Sequence, residues 1–261
     1  APEAKGCHPK LEFLTPDPAR DEAFLRFAGR GLRTLTVAPE LPRAERLVRA
    51  ARDRGLLVTA GHSYATLPQV EAAVGWGVRH VDHLFCAMSD RARLRPAQPY
   101  PMRGGVMEAT LLFDDLSTEV IADGMHLSAD LLRLAFKVKG PDRLALVTDA
   151  MRAVDRPDGD YWFGAEGDGE RVRRLGAVGV TPDGLGLASG VMGMDHGVRT
   201  FRELTGASLP EVVRMASLTP ARILGLDGDI GSLDAGKRAD LVVLDEALNV
   251  RRVFVGGTAV L

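Results

Sequence analysis

Leu144-Ala145-Leu146-Val147-Thr148-Asp149 is the stretch that decides the fold. An apolar run carries the chain to a threonine and then a carboxylate, which reads as a buried strand with an acid at its C-terminal tip. Upstream, histidines stand in the same kind of place. His62 follows Leu56-Leu57-Val58-Thr59-Ala60-Gly61, His83 closes His80-Val81-Asp82-His83, and His126 follows Glu119-Val120-Ile121-Ala122-Asp123-Gly124. Helix-like segments separate these strands, so the chain alternates strand and helix and the sheet should be parallel. In a (β/α)8 barrel, reactive side chains collect at the C-terminal ends of the strands. Histidines and an aspartate converging there can hold a metal ion and activate water.

Outward from that stretch, the periodicity predicts a helix over 21–30, a strand over 35–38 and an Arg-rich amphipathic helix over 42–54. A strand at 56–61, a helix at 67–76 and a strand at 80–85 follow. Residues 86–105 read as a long polar loop carrying Arg91, Arg93, Arg95 and Pro99, and a loop of that length in a compact domain is usually functional. A strand at 118–123 and a helix at 129–139 lead to the strand that ends at Asp149. Five parallel strands are thus expected, where closure of such a barrel needs eight. Residues 151–190 are rich in glycine and suggest a hairpin over the barrel mouth. Helices at 195–206 and 209–218, and a short one from Pro220, come next. The tail from Ile230 reads as antiparallel strands. The expected division is residues 1–228 as an incomplete α/β barrel with a hairpin insertion near 155–186, and residues 229–261 as strands of a small β-sandwich.

Bulk properties narrow the function. The chain has 261 residues, 46% of them apolar, enough for a sizeable core. A formal charge of −2 points to neither nucleic acid nor an anionic membrane as partner. No apolar stretch is long enough to span a bilayer. Cys7 and Cys86 are the only cysteines, so there is no disulfide framework, and a cytoplasmic location is the default expectation.

Several motifs, taken together and in order, resemble the amidohydrolase superfamily and most closely its N-acetylglucosamine-6-phosphate deacetylases. They are Gly61-His62-Ser63, His83-Leu84-Phe85 with Ala87-Met88, Ile121 to His126, Leu146 to Ala150, Lys5-Gly6-Cys7-His8-Pro9 and the tail Gly231 to Leu241. The resemblance implies a TIM-type barrel in which His62 and His83 ligate one divalent metal ion, zinc by preference. It implies that Asp149 is the general base toward the metal-activated water and then the acid that protonates the leaving amine. His126 would polarise or bind the acetyl carbonyl, and Cys86, Ala87 and His8 would contact the substrate. Met192 is a candidate pocket residue, and Arg93, with Arg91 and Arg95 as alternatives, is the candidate for the phosphate, since the loop has no clear match to the family's phosphate-binding arginine. The substrate would be a small phosphosugar, N-acetylglucosamine 6-phosphate, cleaved to the amine and acetate, and the protein would be a homodimer. Family members also carry a glutamate ligand in a His-Leu-Glu-Gly-Pro run just upstream of the match. That run is missing here, as are the first barrel strands, so the expectation is an N-terminally truncated piece of a longer enzyme. Cys86 stands where the family has an asparagine, which, with the 86–105 loop, leaves open an amide substrate without the phosphate; the missing glutamate ligand leaves open a non-catalytic remnant of the fold.

Blander readings stand beside these. His126 could cap the helix that follows, and Asp149 could be a structural cap. Cys86 could be a replacement thiolate ligand, although a small buried thiol is the plainer reading. Trp162 and Met192 suit core packing as well as a pocket wall. His80, at the start of its strand, is expected to be structural, and His196 to be a surface residue.

Overall fold

The computed structural model describes residues 1–8, 15–97 and 100–261. Pro9 of the Lys5–Pro9 run and Pro99 of the polar loop lie outside the described residues.

Five parallel strands form one sheet in sequential order: β1 (Thr34–Val37), β2 (Leu57–Ala60), β3 (His80–Val81), β4 (Ser117–Ile121) and β5 (Leu144–Val147). Their registers pair Thr59 with His80, Val81 with Thr118 and Ile121 with Val147, which brings the C-terminal ends of neighbouring strands to one edge. The β5 strand is buried along Leu144, Ala145 and Leu146, as expected for a parallel sheet covered by helices. The barrel is not closed: β1 and β5 are the two ends of the sheet order.

Helices alternate with the strands. α1 (Pro18–Leu25) opens with the Asp17 side chain accepting from the amides of Ala19 and Arg20, a strong N-cap. It starts three residues earlier than the periodicity suggests, because that cap and Pro18 fix its first turn. α2 (Ala44–Arg52) buries Leu47, Val48 and Ala51 and exposes its arginines. α3 (Leu67–Trp76) has a Thr66–Gln69 capping box. The polar loop contains a single turn of helix, α4 (Arg91–Leu94), and is followed by α5 (Val106–Leu112), which the sequence reading passes over. α6 (Ala129–Arg143) is interrupted at Gly140, before Pro141. The core packs the inner faces of these helices on the sheet, with Val58, Val81, Val120, Leu132, Leu144 and Phe201 all buried.

Between residues 159 and 190 the expected hairpin is a four-stranded antiparallel sheet, β6 (Gly159–Phe163), β7 (Glu170–Leu175), β8 (Val178–Val180) and β9 (Leu187–Gly190). The glycine-rich turns hide two further reversals. The sheet returns to the barrel through a parallel bridge between Ala150 and Gly190. α7 (Met194–Thr205), α8 (Leu209–Ala216) and α9 (Leu218–Ile223) pack behind β5. Pro220 is the third residue of α9, not its first. The tail forms β10 (Leu241–Leu244), β11 (Val250–Val255) and β12 (Thr258–Ala259), all antiparallel. No helix among the described residues is long and apolar enough to cross a membrane.

Candidate active site

His62, His83 and Asp149 are placed by one repeated device. Each stands two residues beyond the last residue of its strand, after Ala60, Val81 and Val147. Each has positive φ: 45° at His62, 22° at His83 and 45° at Asp149. Such values cost a non-glycine residue free energy and concentrate at functional sites. Ala87 (48°) and Ser189 (63°) share the trait. The early end of β3 follows from it, since the chain leaves the extended conformation to aim His83.

The resulting cavity, of about 300 Å³, is lined by His8, His62, His83, Cys86, Ala87, His126 and Asp149. Seven of the nine residues singled out from the sequence therefore meet in one place. The other two are elsewhere. Arg93 is exposed, stacks 5.1 Å from the Tyr64 ring centroid and donates to the Tyr64 hydroxyl. Met192 packs on Met151, Ala153, Val172, Ala188 and Val191. Arg93 is drawn away because the helical turn at 91–94, capped by Asp90, points it at Tyr64. Met192 is claimed by the small core beneath the inserted sheet. That sheet adds a wall invisible in the motifs: Phe163 and Leu187 line the cavity beside Ile121 and Ser189. Phe163 meets the His8 ring edge-to-face at 5.6 Å, and His8 meets His62 at 4.7 Å. No local signal reveals these residues, because strands from a distant insertion bring them in.

Hydrogen bonds set the chemistry. The Nδ1 of His62 donates to the Ala4 carbonyl at 2.7 Å, which leaves its Nε2 a bare acceptor. That Nε2 lies 3.1 Å from the Nε2 of His83. Two imidazoles sharing a tetrahedral ion at 2.0–2.1 Å would hold their nitrogens roughly 3.3 Å apart, so the pair fits a divalent cation. Burial, then the neighbouring His83 ring, pushes the His62 pKa down to about 4, so at neutral pH the ring is uncharged, as a ligand must be. The Nδ1 of His83 is buried without a hydrogen-bond partner among the described residues. Burial raises the Asp149 carboxyl above its ordinary range, against the opposing pull of His83 and His126. A raised carboxyl is better matched to proton transfer near neutral pH. Its Oδ2 lies 3.5 Å from the Ser189 hydroxyl.

Both thiols are protonated. Burial, then the Asp149 charge, pushes Cys86 up to about 12 and Cys7 up to about 11. Cys86 therefore serves the cavity as a small neutral side chain rather than as a thiolate.

One tight three-donor cluster stands among the described residues, and it is not in the cavity. His80, Asp82 and Glu119 bring their ligand atoms within 4.8 Å of one another. Their donors are already occupied. His80 bonds Ser117 and Glu119, Asp82 accepts from Thr36, and Glu119 accepts from the His83 amide. His80 is thus buried in a network that supports the His83 strand end. His196, expected at the surface, is half-buried and donates its Nε2 proton to the Asp123 carbonyl at 3.0 Å.

Comparison with known proteins gives these groups a context. The amidohydrolase family profile matches residues 34–260. An N-acetylgalactosamine-6-phosphate deacetylase from Escherichia coli O157:H7 is 35% identical over 98% of this chain and 64% of its own length. The human N-acetylglucosamine-6-phosphate deacetylase is 33% identical over 99% of this chain and 62% of its own. The chain thus spans less than two thirds of these relatives. Among solved structures, a variant of N-acetyl-D-glucosamine-6-phosphate deacetylase from Mycobacterium smegmatis, in complex with N-acetyl-D-glucosamine-6-phosphate, superposes with a TM-score of 0.89 at 29% identity. That match covers 99% of this chain and 65% of that one. Family and donor groups together support a divalent metal ion. With the profile matching from β1 to β12, this chain belongs to the amidohydrolase family.

Proposed function

We propose that the cavity deacetylates N-acetylglucosamine 6-phosphate, releasing glucosamine 6-phosphate and acetate. The observation that carries the reading is the convergence of two facing imidazole Nε2 atoms, 3.1 Å apart, with the raised carboxyl of Asp149 in one cavity. Relatives that share the fold are named as deacetylases of 6-phosphorylated acetylamino sugars.

His62 and His83 would hold the ion, with zinc suited to imidazole donors. A divalent ion held there supplies Lewis acidity and makes water ionisable near neutral pH. Asp149 takes the proton from the attacking water and returns it to the amide nitrogen. An amine leaves poorly unless protonated, so one carboxylate serves both steps. His126 and His8 line the cavity and would contact the substrate, and Ala87, Cys86 and Phe163 shape the space around it.

A second reading has its own observation. Arg93 is engaged with Tyr64, and among the described residues no arginine of the 86–105 segment lines the cavity. A non-phosphorylated acetylamino sugar is then the alternative substrate. Acetate release by the zinc-loaded gene product, compared for N-acetylglucosamine with and without the 6-phosphate, separates the two. The proposal requires a kcat/KM at least ~10-fold higher for the phosphorylated sugar. Equal rates favour the alternative, and no release from either rejects both.

A further inference from the structure

We propose that Asp123 positions His126, holding a proton on its Nδ1 and turning the Nε2 edge of the ring to the cavity, and that His196 fixes the loop on which both residues stand. The proposal rests on the deacetylase reading only for the substrate used to measure its kinetic effect.

β4 ends at Ile121, yet His126 reaches the cavity five residues later. Something must therefore hold the intervening loop. Asp123 does so with both carboxylate oxygens. Its Oδ1 accepts from the backbone amides of Met125 and His126, each at 2.9 Å, which is an Asx-type turn. Its Oδ2 accepts from the His126 Nδ1 at 2.7 Å. Both side chains are nearly buried, at 8% exposure for His126 and 6% for Asp123. Burial alone would raise the Asp123 carboxyl, but the hydrogen bonds from His126 and Met125 outweigh it and hold the group below its ordinary range.

An ionised carboxylate only accepts, so the His126 nitrogen facing it must carry the proton. The His126 ring lines the cavity, and its Nε2 makes no hydrogen bond among the described residues. From the other side, the His196 Nε2, in the first turn of α7, donates to the Asp123 carbonyl at 3.0 Å, with the Thr200 hydroxyl 3.3 Å away. The loop is thus tied to the barrel by β4 and to α7 by His196. Asp123 touches no reacting atom. It is a positioning residue of the kind whose loss typically lowers activity about 10–100-fold.

Ring-nitrogen NMR of the 15N-histidine-labelled, zinc-loaded protein tests the proposal without substrate. The expected spectrum shows His126 protonated at Nδ1, its signals assigned by their loss in His126→Gln. A His126 protonated only at Nε2 in the parent overturns the proposal. Asp123→Asn is expected to remove the proton from Nδ1. Its carbonyl would keep the two backbone amides, and its NH2 would face Nδ1 and demand a lone pair there. It should lower kcat/KM for N-acetylglucosamine 6-phosphate about 10–100-fold. Unchanged His126 signals in that variant also overturn the idea. Should Asp123→Asn not fold, the parent spectrum and His196→Ala decide. His196→Ala should keep the tautomer, broaden the His126 signals and lower kcat/KM by a smaller factor; sharp, unshifted signals there remove His196 from the proposal. If the parent shows the expected tautomer but releases no acetate, the deacetylase reading fails and the positioning role stands.

Discussion

At the scale of single residues, the cavity depends on side chains that pay for their place in backbone strain. His62, His83 and Asp149 each turn to positive φ two residues past their strands. Asp149→Asn keeps the size and removes the ionisable carboxyl. It should lower kcat by about 10²–10⁴-fold with the melting temperature unchanged; acetate-release kinetics and a thermal melt check both. His83→Ala removes one of two facing nitrogens, so metal analysis after dialysis should find the ion lost from the variant and retained by the parent. These residues were legible in the sequence because each ends an apolar run with a group that has no business in a core. Asp123 and His196 were not. The former looked like one letter of a motif, and the latter like a surface residue, because a contact 73 residues apart leaves no mark on either segment.

At the scale of elements, two joints hold the cavity in shape. Gly190 ends β9 where a Cβ would fall 2.1 Å from the Thr148 carbonyl oxygen. Its amide donates to the Asp149 carbonyl and its carbonyl accepts from Met151. Gly190→Ala must therefore push the inserted sheet away from the Asp149 strand end. It should cost about 2 kcal/mol or more, seen as a fall of roughly 4–8 °C in Tm, with loss of activity. The second joint is Lys139 on α6. It is buried and donates to the carbonyls of Phe113 and Leu116, at 2.8 Å each, tying the α5–β4 connection to α6. Burial, then Arg143, pushes its pKa down to about 8.

The unfolded chain keeps that proton up to about 10.4. Between those values the unfolded state binds more protons, so stability from this residue rises with pH across about 8 to 10.4 and is lost as pH falls through the window. Chemical denaturation at pH 7.5 and pH 10 should show the parent gaining on Lys139→Met as pH rises. The variant itself should be less stable by about 1–3 kcal/mol, because buried carbonyls lose a donor. Most elements were legible from periodicity, within a residue or two at their ends. The failures have physical causes. α5 was missed because its apolar residues follow a polar loop without a clear start signal. The inserted sheet was undercounted because glycine turns and short strands give no period to read.

At the scale of the whole molecule, five strands lie in sequential parallel order, the C-terminal ends of β2 to β5 open on one cavity, and a four-stranded sheet closes one side of it. The order of the motifs along the chain made this architecture readable from the sequence, since β2, β3, β4 and β5 are each followed by a histidine or aspartate of the cavity. The inserted sheet's contribution of Phe163 and Leu187 was not readable, because it depends on how a distant segment folds back. The central claim is that this cavity performs metal-dependent amide hydrolysis. The most direct measurement is acetate release from N-acetylglucosamine 6-phosphate by the gene product, first stripped by a chelator and then resupplied with zinc, alongside Asp149→Asn under the same conditions. The account predicts release that disappears on stripping, returns with zinc and is absent or reduced at least ~100-fold in Asp149→Asn. Release that survives stripping, or that Asp149→Asn matches, would contradict it.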